Sequence, residues 1–287
     1  MVNETLLVDG NYLCHYVFHG IGGLSTVAGN PTSIVYGMLV QIRNLTKKFR
    51  TKRFIFCWDS QSSVRKDYCP TYKGNRHKQG YSEEEKITMN AFYQQVGALQ
   101  DRILPDIGFP CFKKEGFESD DLLAWFAKNI KGKKIIVTAD ADLWQCLSDN
   151  VVVYNPNKKD FMTVERLDLE HGISNPPDWA LVKALAGCPS DNVQGIKGVG
   201  EKTAVRFLRE ELEHDSLKYQ AITYGMDTMW RNIDLVKLPH PKLEMKKPKI
   251  VFKINLEAYK KVATEIESTR LLDADMLFDW HQIASRF

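Results

Sequence analysis

Eight acidic residues stand out because they follow strand-like segments or form tight clusters. They are Asp9, Asp59, Glu118, Asp120, Asp121, Asp140, Asp142 and Asp191. Carboxylates gathered in one place repel one another unless cations are bound, and their hard oxygens suit divalent ions such as Mg²⁺. Two such ions can drive in-line displacement at phosphorus, so the chemistry that these residues favour is hydrolysis of a phosphodiester.

Three short apolar runs could bring several of these acids together. The runs and the acids that follow them are residues 5–8 with Asp9, 54–58 with Asp59, and 135–139 with Asp140. Such runs are typical of strands buried in a parallel sheet, and ligands bind beyond the carboxyl ends of these strands. A single Asp after a strand is more often a turn former, so the metal hypothesis requires all of them to meet at one edge.

Helical segments alternate with these strands, which predicts an α/β fold with a three-layer, mostly parallel sheet. Ser82 and Glu85 form a capping box that opens one helix, and we expect Pro105 to end it. From residue 178 onward the pattern is helical, with a glycine-rich turn between residues 179–186 and 202–212. The last seventy or so residues are harder to interpret.

Composition limits the classes of function. The net charge of +3 combines 39 basic with 36 acidic residues, so gathering acids in one crevice leaves a more basic surface suited to a polyanion. The six cysteines form no CxxC pair, which argues against a zinc site or a disulfide framework and favours reduced thiols in a cytoplasm. No segment is typical of a membrane span or a secretion signal, so we expect a cytoplasmic protein without membrane contact (host cytoplasm if phage-encoded).

Six motifs occur in the order seen in the 5′-nuclease family, which comprises flap endonucleases and 5′–3′ exonucleases. The motifs are Val8-Asp9-Gly10-Asn11, Trp58-Asp59, Tyr72-Lys73-Gly74-Asn75-Arg76, Glu118-Ser119-Asp120-Asp121, Thr138-Ala139-Asp140-Ala141-Asp142, and the segment 190–200. The chain resembles this family from Asp9 to about Leu212, and its length resembles that of bacteriophage members. The resemblance implies a PIN-like nuclease core followed by a helix–three-turn–helix element that binds DNA.

The resemblance also implies an organisation of the chain. The α/β nuclease core would occupy residues 1–178, with a basic arch region at about 65–104. The duplex-binding element would occupy 179–212, and residues 213–287 would form a C-terminal segment packed on the core.

Two Mg²⁺ ions, with Mn²⁺ able to substitute, are implied by the same resemblance. The first ion would be served by Asp9, Asp59, Glu118 and Asp120. The second would be served by Asp121, Asp140, Asp142 and Asp191. Lys73 and Arg76 match the family's basic positions, where they would steady the negative charge of the scissile phosphate.

The sequence departs from the family pattern at Cys188. Family members commonly carry an Asp at this position, three residues before that of Asp191. Because a thiolate is a soft ligand and a poor partner for Mg²⁺, we expect weaker binding of the second ion or a raised metal requirement. Titrating Mg²⁺ against Cys188→Asp would test this expectation.

The remaining candidates concern DNA. The glycine-rich turn would present backbone N–H groups to a phosphate, with potassium bound there in some family members; the expected contacts are Gly195, Lys197, Gly198, Gly200 and Lys202. An ordinary turn between helices remains an alternative, whereas a nucleotide P-loop does not fit because Glu201 interrupts the motif and no strand precedes it. In the basic stretch, which could also be a solvated face, the expected contacts are Arg65, Tyr72, Lys73 and Arg76.

Together these observations predict an Mg²⁺-dependent 5′–3′ exonuclease and flap endonuclease. It would act as a monomer on 5′-flap, 5′-overhang or nicked duplex DNA, with a role in phage DNA replication and with replication-protein partners that the sequence does not identify. One alternative is a structure-selective branched-DNA-binding protein whose catalysis is weak or lost because of Cys188. Another is an RNA-directed nuclease with a similar acidic sheet edge.

Overall fold

A six-stranded sheet forms the centre of the protein, in a computed structural model that describes residues 4–75 and 82–286. Its strands lie in the order β3-β2-β1-β4-β5-β6. Their bounds are β1 (Thr5–Asp9), β2 (Phe54–Trp58), β3 (Cys111–Lys113), β4 (Lys134–Val137), β5 (Val151–Asn155) and β6 (Asp160–Met162). Neighbouring strands are parallel except for the antiparallel pair β5 and β6.

Strand β1 lies between β2 and β4 and is buried along its whole length. Leu6 and Val8 face one hydrophobic core, whereas Leu7 faces another on the opposite side of the sheet. This follows from the alternation of side chains along a strand, and it explains why the run is apolar at every position. The predicted mostly parallel sheet is therefore confirmed.

Helices cover both faces of the sheet and complete three layers. Their bounds are α1 (Gly10–Gly20), α2 (Ser33–Phe49), α3 (Val64–Tyr68), α4 (Glu83–Ala98), α5 (Leu104–Ile107), α6 (Ser119–Asn129), α7 (Val164–His171), α8 (Asp178–Ala186), α9 (Glu201–Leu208), α10 (Leu217–Tyr224), α11 (Met226–Val236), α12 (Leu256–Glu265) and α13 (Ala274–Arg286). Helices α1, α2, α4, α5, α12 and α13 share one core, and α6 to α11 share the other. None of the helices in the described ranges is long and apolar enough to cross a membrane.

The capping box at Ser82 and Glu85 is present, but the prediction that Pro105 ends the helix is wrong. The helical path continues to Ile107 through a π-helical turn at Leu99–Ile103. In that turn the N–H of Leu104 donates to the Leu99 carbonyl, five residues back. A helix-interior proline clashes with the preceding turn, and the wider π turn gives its ring room.

The C-terminal residues, which the sequence pattern left open, pack against the sheet. Tyr259 of α12 and Trp280 of α13 are fully buried and stack with ring centroids 4.2 Å apart. The Tyr259 hydroxyl donates to the Leu271 carbonyl at 2.7 Å, which satisfies its only polar group. The two helices thereby cover the core on the side of α2 and α5.

Candidate metal centre and nucleic-acid interface

The acidic residues lie at the topological switch point of the sheet, where the chain stops adding strands on one side of β1 and begins to add them on the other. The chain leaves β1 through α1 and α2 on one face, whereas α6, which leads into β4, packs on the other. Because β1 and β4 are neighbours, a crevice opens between the elements that follow them. Asp9 is the last residue of β1, and Asp140 begins the short helical turn after β4. Asp59 follows β2, the other neighbour of β1.

Hydrogen bonds from three elements hold Asp9 and Asp59 in position. The backbone N–H of Ser119, at the start of α6, donates to Asp59 Oδ1 at 2.8 Å. The Ser119 hydroxyl donates to Asp9 Oδ1 at 3.3 Å, and the Thr138 hydroxyl donates to Asp9 Oδ2 at 3.4 Å. The Tyr12 N–H also donates to Asp9 Oδ1, at 3.0 Å. The carboxylates are thus oriented by the scaffold before any ligand binds.

Asp59 and Asp140 lie close enough to Asp9 and Asp120 to raise the pKa values of those two carboxyls. Burial, followed by the charges of Asp59 and Asp140, raises the pKa of Asp9 to about 7. Burial, followed by the charges of Asp140 and Asp9, raises the pKa of Asp120 well above its ordinary value. Among the described residues, Asp120 Oδ1 is buried without a hydrogen-bond donor. A buried, unpartnered carboxylate oxygen among other carboxylates is a natural ligand for a divalent cation.

A second cluster lies beside the first. Oxygen atoms of Asp142 and Asp191 and the sulfur of Cys188 all lie within 4.8 Å of one another. Cys188 is held in a small hairpin of β7 (Gly187–Cys188) and β8 (Val193–Gln194). Burial, and then the charge of Asp140, raises the pKa of Asp142 to about 6. Burial, and then Asp142, raises the pKa of the Cys188 thiol to about 11.

Glu118 and Lys73 link the two clusters. The Tyr72 hydroxyl lies 3.2 Å from both Glu118 Oε2 and Asp191 Oδ2. The Lys73 ammonium donates to Glu118 Oε2 at 2.7 Å, and the Lys73 N–H donates to the Asp191 carbonyl at 2.8 Å. Burial by itself would lower the pKa of Lys73, but Glu118 and Asp191 outweigh it and raise the pKa. Lys73 therefore stays charged within the acidic crevice.

Two residues of the expected site lie elsewhere. Asp121 is fully buried, and Arg65 donates to both of its oxygens at 2.6 and 2.8 Å. The backbone N–H of His240 donates to Asp121 Oδ1 at 2.8 Å. Because the carboxylate is surrounded by protein donors, this placement does not agree with a role for Asp121 in binding the second metal. Arg65 is 1% exposed, which leaves no surface for the expected contact with DNA.

Tyr72 also differs from its expected role. Its ring is 2% exposed and belongs to the core beneath the sheet edge, so it cannot serve as a stacking surface for a base. Its hydroxyl instead positions two carboxylates. Arg76, the second basic residue expected at the scissile phosphate, lies outside the described residues.

Lys183 is a functional candidate that was missed in the sequence. Its ammonium lies 3.7 Å from Asp142 Oδ1 and 2.9 Å from Glu201 Oε1. Burial lowers its pKa, but Asp142 and Glu201 raise it more, so the net shift is upward. The available signal was that Lys183 is the only polar side chain between Trp179 and Ala186 of α8. It connects the acidic cluster to the first residue of α9.

The glycine-rich turn joins α8 to α9 at the side of the second cluster. A Cβ on Gly195 would lie 2.2 Å from the Ala186 carbonyl oxygen, so this close approach of backbones requires glycine. Gly198 has φ +78°, in the left-handed region, and Gly200 caps α9. Lys197 and Lys202 are exposed on either side of the turn. The residues that the sequence predicted to contact DNA here therefore lie on the turn and on the first turn of α9.

Comparisons with known proteins agree with this arrangement. The model of the 5′-3′ exonuclease, N-terminal resolvase-like domain, matches residues 4–172. The thermostable DNA polymerase I of Thermus thermophilus is 34% identical over 211 residues, which cover 72% of this chain and 24% of the polymerase. The chain thus spans about a quarter of the length of this relative. A 5′-3′ exonuclease of Aquifex aeolicus is 28% identical over 294 residues, covering 95% of both chains.

A solved structure shares the fold over nearly the entire chain. The bacteriophage T5 flap endonuclease, crystallised in a pseudo-enzyme–product complex with DNA and metal ions, superposes with a TM-score of 0.72. The superposition covers 99% of this chain and 100% of the T5 chain, at 21% sequence identity. This likeness concerns the fold.

Proposed function

The chain belongs to the 5′–3′ exonuclease family, and from this premise we propose that it is a metal-dependent 5′-nuclease that hydrolyses DNA at 5′ ends and 5′ flaps. The observation that carries the proposal is the crevice of seven carboxylates at the switch point of the sheet. Its members are Asp9, Asp59, Glu118, Asp120, Asp140, Asp142 and Asp191. A catalytically idle protein would have no use for the destabilising repulsion that this crevice entails.

The donor set fits two divalent ions. Asp9, Asp59, Glu118 and Asp120 would hold the first ion, and the unpartnered Asp120 Oδ1 supports this assignment. Asp140, Asp142 and Asp191 would hold the second. Asp121 is left out because Arg65 occupies both of its oxygens. Mg²⁺ or Mn²⁺, when bound, would supply Lewis acidity for in-line displacement at phosphorus.

The protein's own groups would position the substrate phosphate. Lys73 is the described cation closest to Glu118, and its ammonium would neutralise charge that develops on the scissile phosphate. Ser119 and Thr138 would keep Asp9 from rotating as the phosphate enters. All of these groups come from one chain, so we propose that the monomer is the active form.

We propose that the turn between α8 and α9 binds the duplex through phosphates. Its exposed Lys197 and Lys202 flank backbone N–H groups at the start of α9, an arrangement that favours anions. Sequence-independent binding would follow, because phosphate contacts carry no base information. Substrates with a 5′ flap, a 5′ overhang or a nick would present the duplex to this turn and the 5′ strand to the crevice.

We propose that Lys218 supplies the cation that the family resemblance assigned to potassium at this turn. Its ammonium, on α10, donates to the Gly198 carbonyl. A potassium ion at the same carbonyl would have to displace an ammonium tethered to the protein. Replacing potassium by sodium at constant ionic strength should therefore leave DNA affinity unchanged, measured by fluorescence anisotropy of labelled duplex. A stronger affinity in potassium would contradict this assignment.

The proposed activity is tested on a 5′-flap DNA labelled at each end, with Mg²⁺ or with a chelator. Wild type should give Mg²⁺-dependent products near the flap junction, and Asp140→Asn should not, because it removes a charge from the crevice. Asp149→Asn is a matched control: Asp149 is exposed in the turn between β4 and β5, at the opposite edge of the sheet.

Three outcomes separate the candidate functions. Tight binding without cleavage, even with Mn²⁺ at high concentration, would favour the branched-DNA-binding protein. Faster cleavage of a matched RNA or hybrid flap would favour the RNA-directed nuclease. Equal loss of activity in Asp140→Asn and Asp149→Asn would show that the crevice is not the reason for the loss.

A further inference from the structure

The second cluster differs chemically from the first because it contains sulfur. Asp9, Asp59 and Asp120 offer only oxygen, whereas Cys188 places a thiol beside Asp142 and Asp191. Oxygen donors suit Mg²⁺, and thiolates suit zinc, cadmium and other soft ions. The chain thus presents two neighbouring donor sets with opposite preferences.

The spacing of the sulfur is consistent with a tetrahedral thiophilic ion. Cys188 Sγ lies 3.8 Å from Asp142 Oδ2. Tetrahedral zinc with bond lengths of about 2.3 Å to sulfur and 2.1 Å to oxygen separates such atoms by about 3.6 Å. The observed separation is close to the tetrahedral value.

The backbone around the hairpin holds Cys188 and Asp191 near each other. Cys188 is 5% exposed and is fixed in the β7–β8 hairpin, whose register pairs it with Val193. Gly187 and Gly195 let the two hairpin strands approach, because a Cβ on either would overlap backbone at 2.2–2.3 Å. Asp191 follows Cys188 by three residues across one short helical turn, so both ligands come from one short segment.

We infer that Asp142, Cys188 and Asp191 form a mixed thiolate–carboxylate site that binds a thiophilic divalent ion of the zinc class in preference to Mg²⁺. The inference rests on the proposed function in taking Asp142 and Asp191 as ligands of the second ion. A water molecule or a substrate oxygen would complete the fourth position, as in zinc sites with three protein ligands. The absence of a CxxC pair does not exclude this site, because it uses one thiolate only.

The test uses the full chain and Cd²⁺ as the probe, because a cadmium–thiolate bond absorbs in the ultraviolet where cadmium–carboxylate bonds do not. Metal-free protein is titrated with Cd²⁺ in a phosphine reductant. Wild type should develop one thiolate-to-metal band that saturates at one Cd²⁺ per chain. The band should be absent in Cys188→Ser and Cys188→Asp and retained in Cys111→Ser, which removes a partly buried thiol on β3.

Competition with Mg²⁺ gives a second measurement. Cys188→Asp should bind Cd²⁺ more weakly than wild type, by about tenfold or more, and should need less Mg²⁺ for half-maximal flap cleavage. Cys188→Ala, which tests whether serine itself disturbs the hairpin, should behave as Cys188→Ser. Thermal unfolding of each variant verifies that the fold is retained.

The result that overturns the inference is the absence of a thiolate band in wild type, or a band of equal strength in Cys188→Ser. Failure of the proposed function would give a different combination of results. In that case the band would be present but no DNA cleavage would occur with Mg²⁺ or Mn²⁺. Conversely, cleavage in Mg²⁺ without a cadmium band would leave the nuclease intact and remove only the thiophilic site.

Discussion

Lys73 shows how a single residue can be held in place by the acids around it. Its backbone has φ +54°, in a region that L-residues avoid, and its N–H is bound to the Asp191 carbonyl. Strain of this kind persists where the surrounding structure overdetermines a conformation, and it is common at functional sites. The ammonium of the same residue donates to Glu118 Oε2 at 2.7 Å.

We therefore expect Lys73→Ala to lower the rate of the chemical step by about 10²–10³-fold, as for loss of one electrostatic donor. Single-turnover cleavage of a 5′ flap at saturating enzyme would measure it. Lys66→Ala, at an exposed position of α3, should leave the rate unchanged. Equal losses in the two variants would indicate a general effect of basic charge on DNA binding instead.

The raised carboxyl pKa values predict how the metal-free protein responds to pH. Asp9 and Asp142 have pKa values of about 7 and about 6, against 3.8 without the fold. At pH values between the unfolded and the folded pKa of each group, the folded state binds more protons than the unfolded state. The free energy of unfolding therefore falls as pH rises through this interval.

In a chelator, urea midpoints should thus decrease from about pH 5 to pH 8, and saturating Mg²⁺ should remove most of this decrease. Asp9→Asn should flatten the dependence, because it removes one of the carboxyl groups whose pKa is raised in the folded state. A free energy of unfolding that rises over the same interval would contradict the crowding of these acids.

At the scale of elements, the buried pair of Arg65 and Asp121 joins separate parts of the chain. Arg65 lies on α3, Asp121 on α6, and the guanidinium also donates to the Leu235 carbonyl of α11 at 2.8 Å. Three helices therefore meet at one ion pair directly beneath the acidic crevice. Because the partners are 1% and 0% exposed, the loss of one leaves a buried charge.

Asp121→Ala should destabilise the fold by about 3–5 kcal/mol, measured by chemical denaturation. The double variant Arg65→Met/Asp121→Leu should recover part of that loss, because it leaves no unpaired charge, although the His240 N–H and the Leu235 carbonyl still lose their partners. Neither the single nor the double variant should alter the Mg²⁺ concentration that the folded protein needs for half-maximal cleavage. A raised Mg²⁺ requirement with unchanged stability would restore Asp121 as a metal ligand.

Lys183 of α8 connects two other elements, the helical turn after β4 and α9, through Asp142 and Glu201. One end of this bridge belongs to the second cluster, and the other is the first residue after the glycine-rich turn. If the turn moved when it bound a DNA phosphate, the movement would therefore be transmitted to Asp142 through this bridge. The two parts of the proposed function, binding of the duplex and hydrolysis, share a physical connection.

At the scale of the whole molecule, the separation of charge predicts how DNA binding depends on salt. Acids are gathered in the crevice, whereas Lys197 and Lys202 project from the turn beside it. Each phosphate contact releases counterions, with a slope of about −0.9 in log affinity against log salt. Lys197→Ala and Lys202→Ala should each reduce the magnitude of the slope by about 1.

The control is Lys128→Ala, because Lys128 lies in the last turn of α6, at the far end from the acids that begin this helix. Its slope should equal that of wild type. Affinity is measured in Ca²⁺ or chelator, so that cleavage does not intervene. Unchanged slopes in both turn variants would place the duplex on another surface.

The sequence by itself determined the parallel sheet, the acids at its edge and most helix positions. These properties depend on short-range signals: apolar runs such as residues 5–8, capping residues such as Ser82, and side chains that directly follow a strand. Strands that run parallel must end at one edge, so the meeting of Asp9, Asp59 and Asp140 followed from topology alone.

Only the tertiary structure decided which polar residues face the crevice. Asp120 and Asp121 are neighbours in sequence. Asp120 has a buried oxygen atom without a hydrogen-bond donor, whereas Asp121 is bound to Arg65, 56 residues away. Likewise, Lys183 lies close to Asp142 only because α8 packs against the helical turn that follows β4. Such pairings depend on desolvation and long-range packing, which local sequence patterns do not contain.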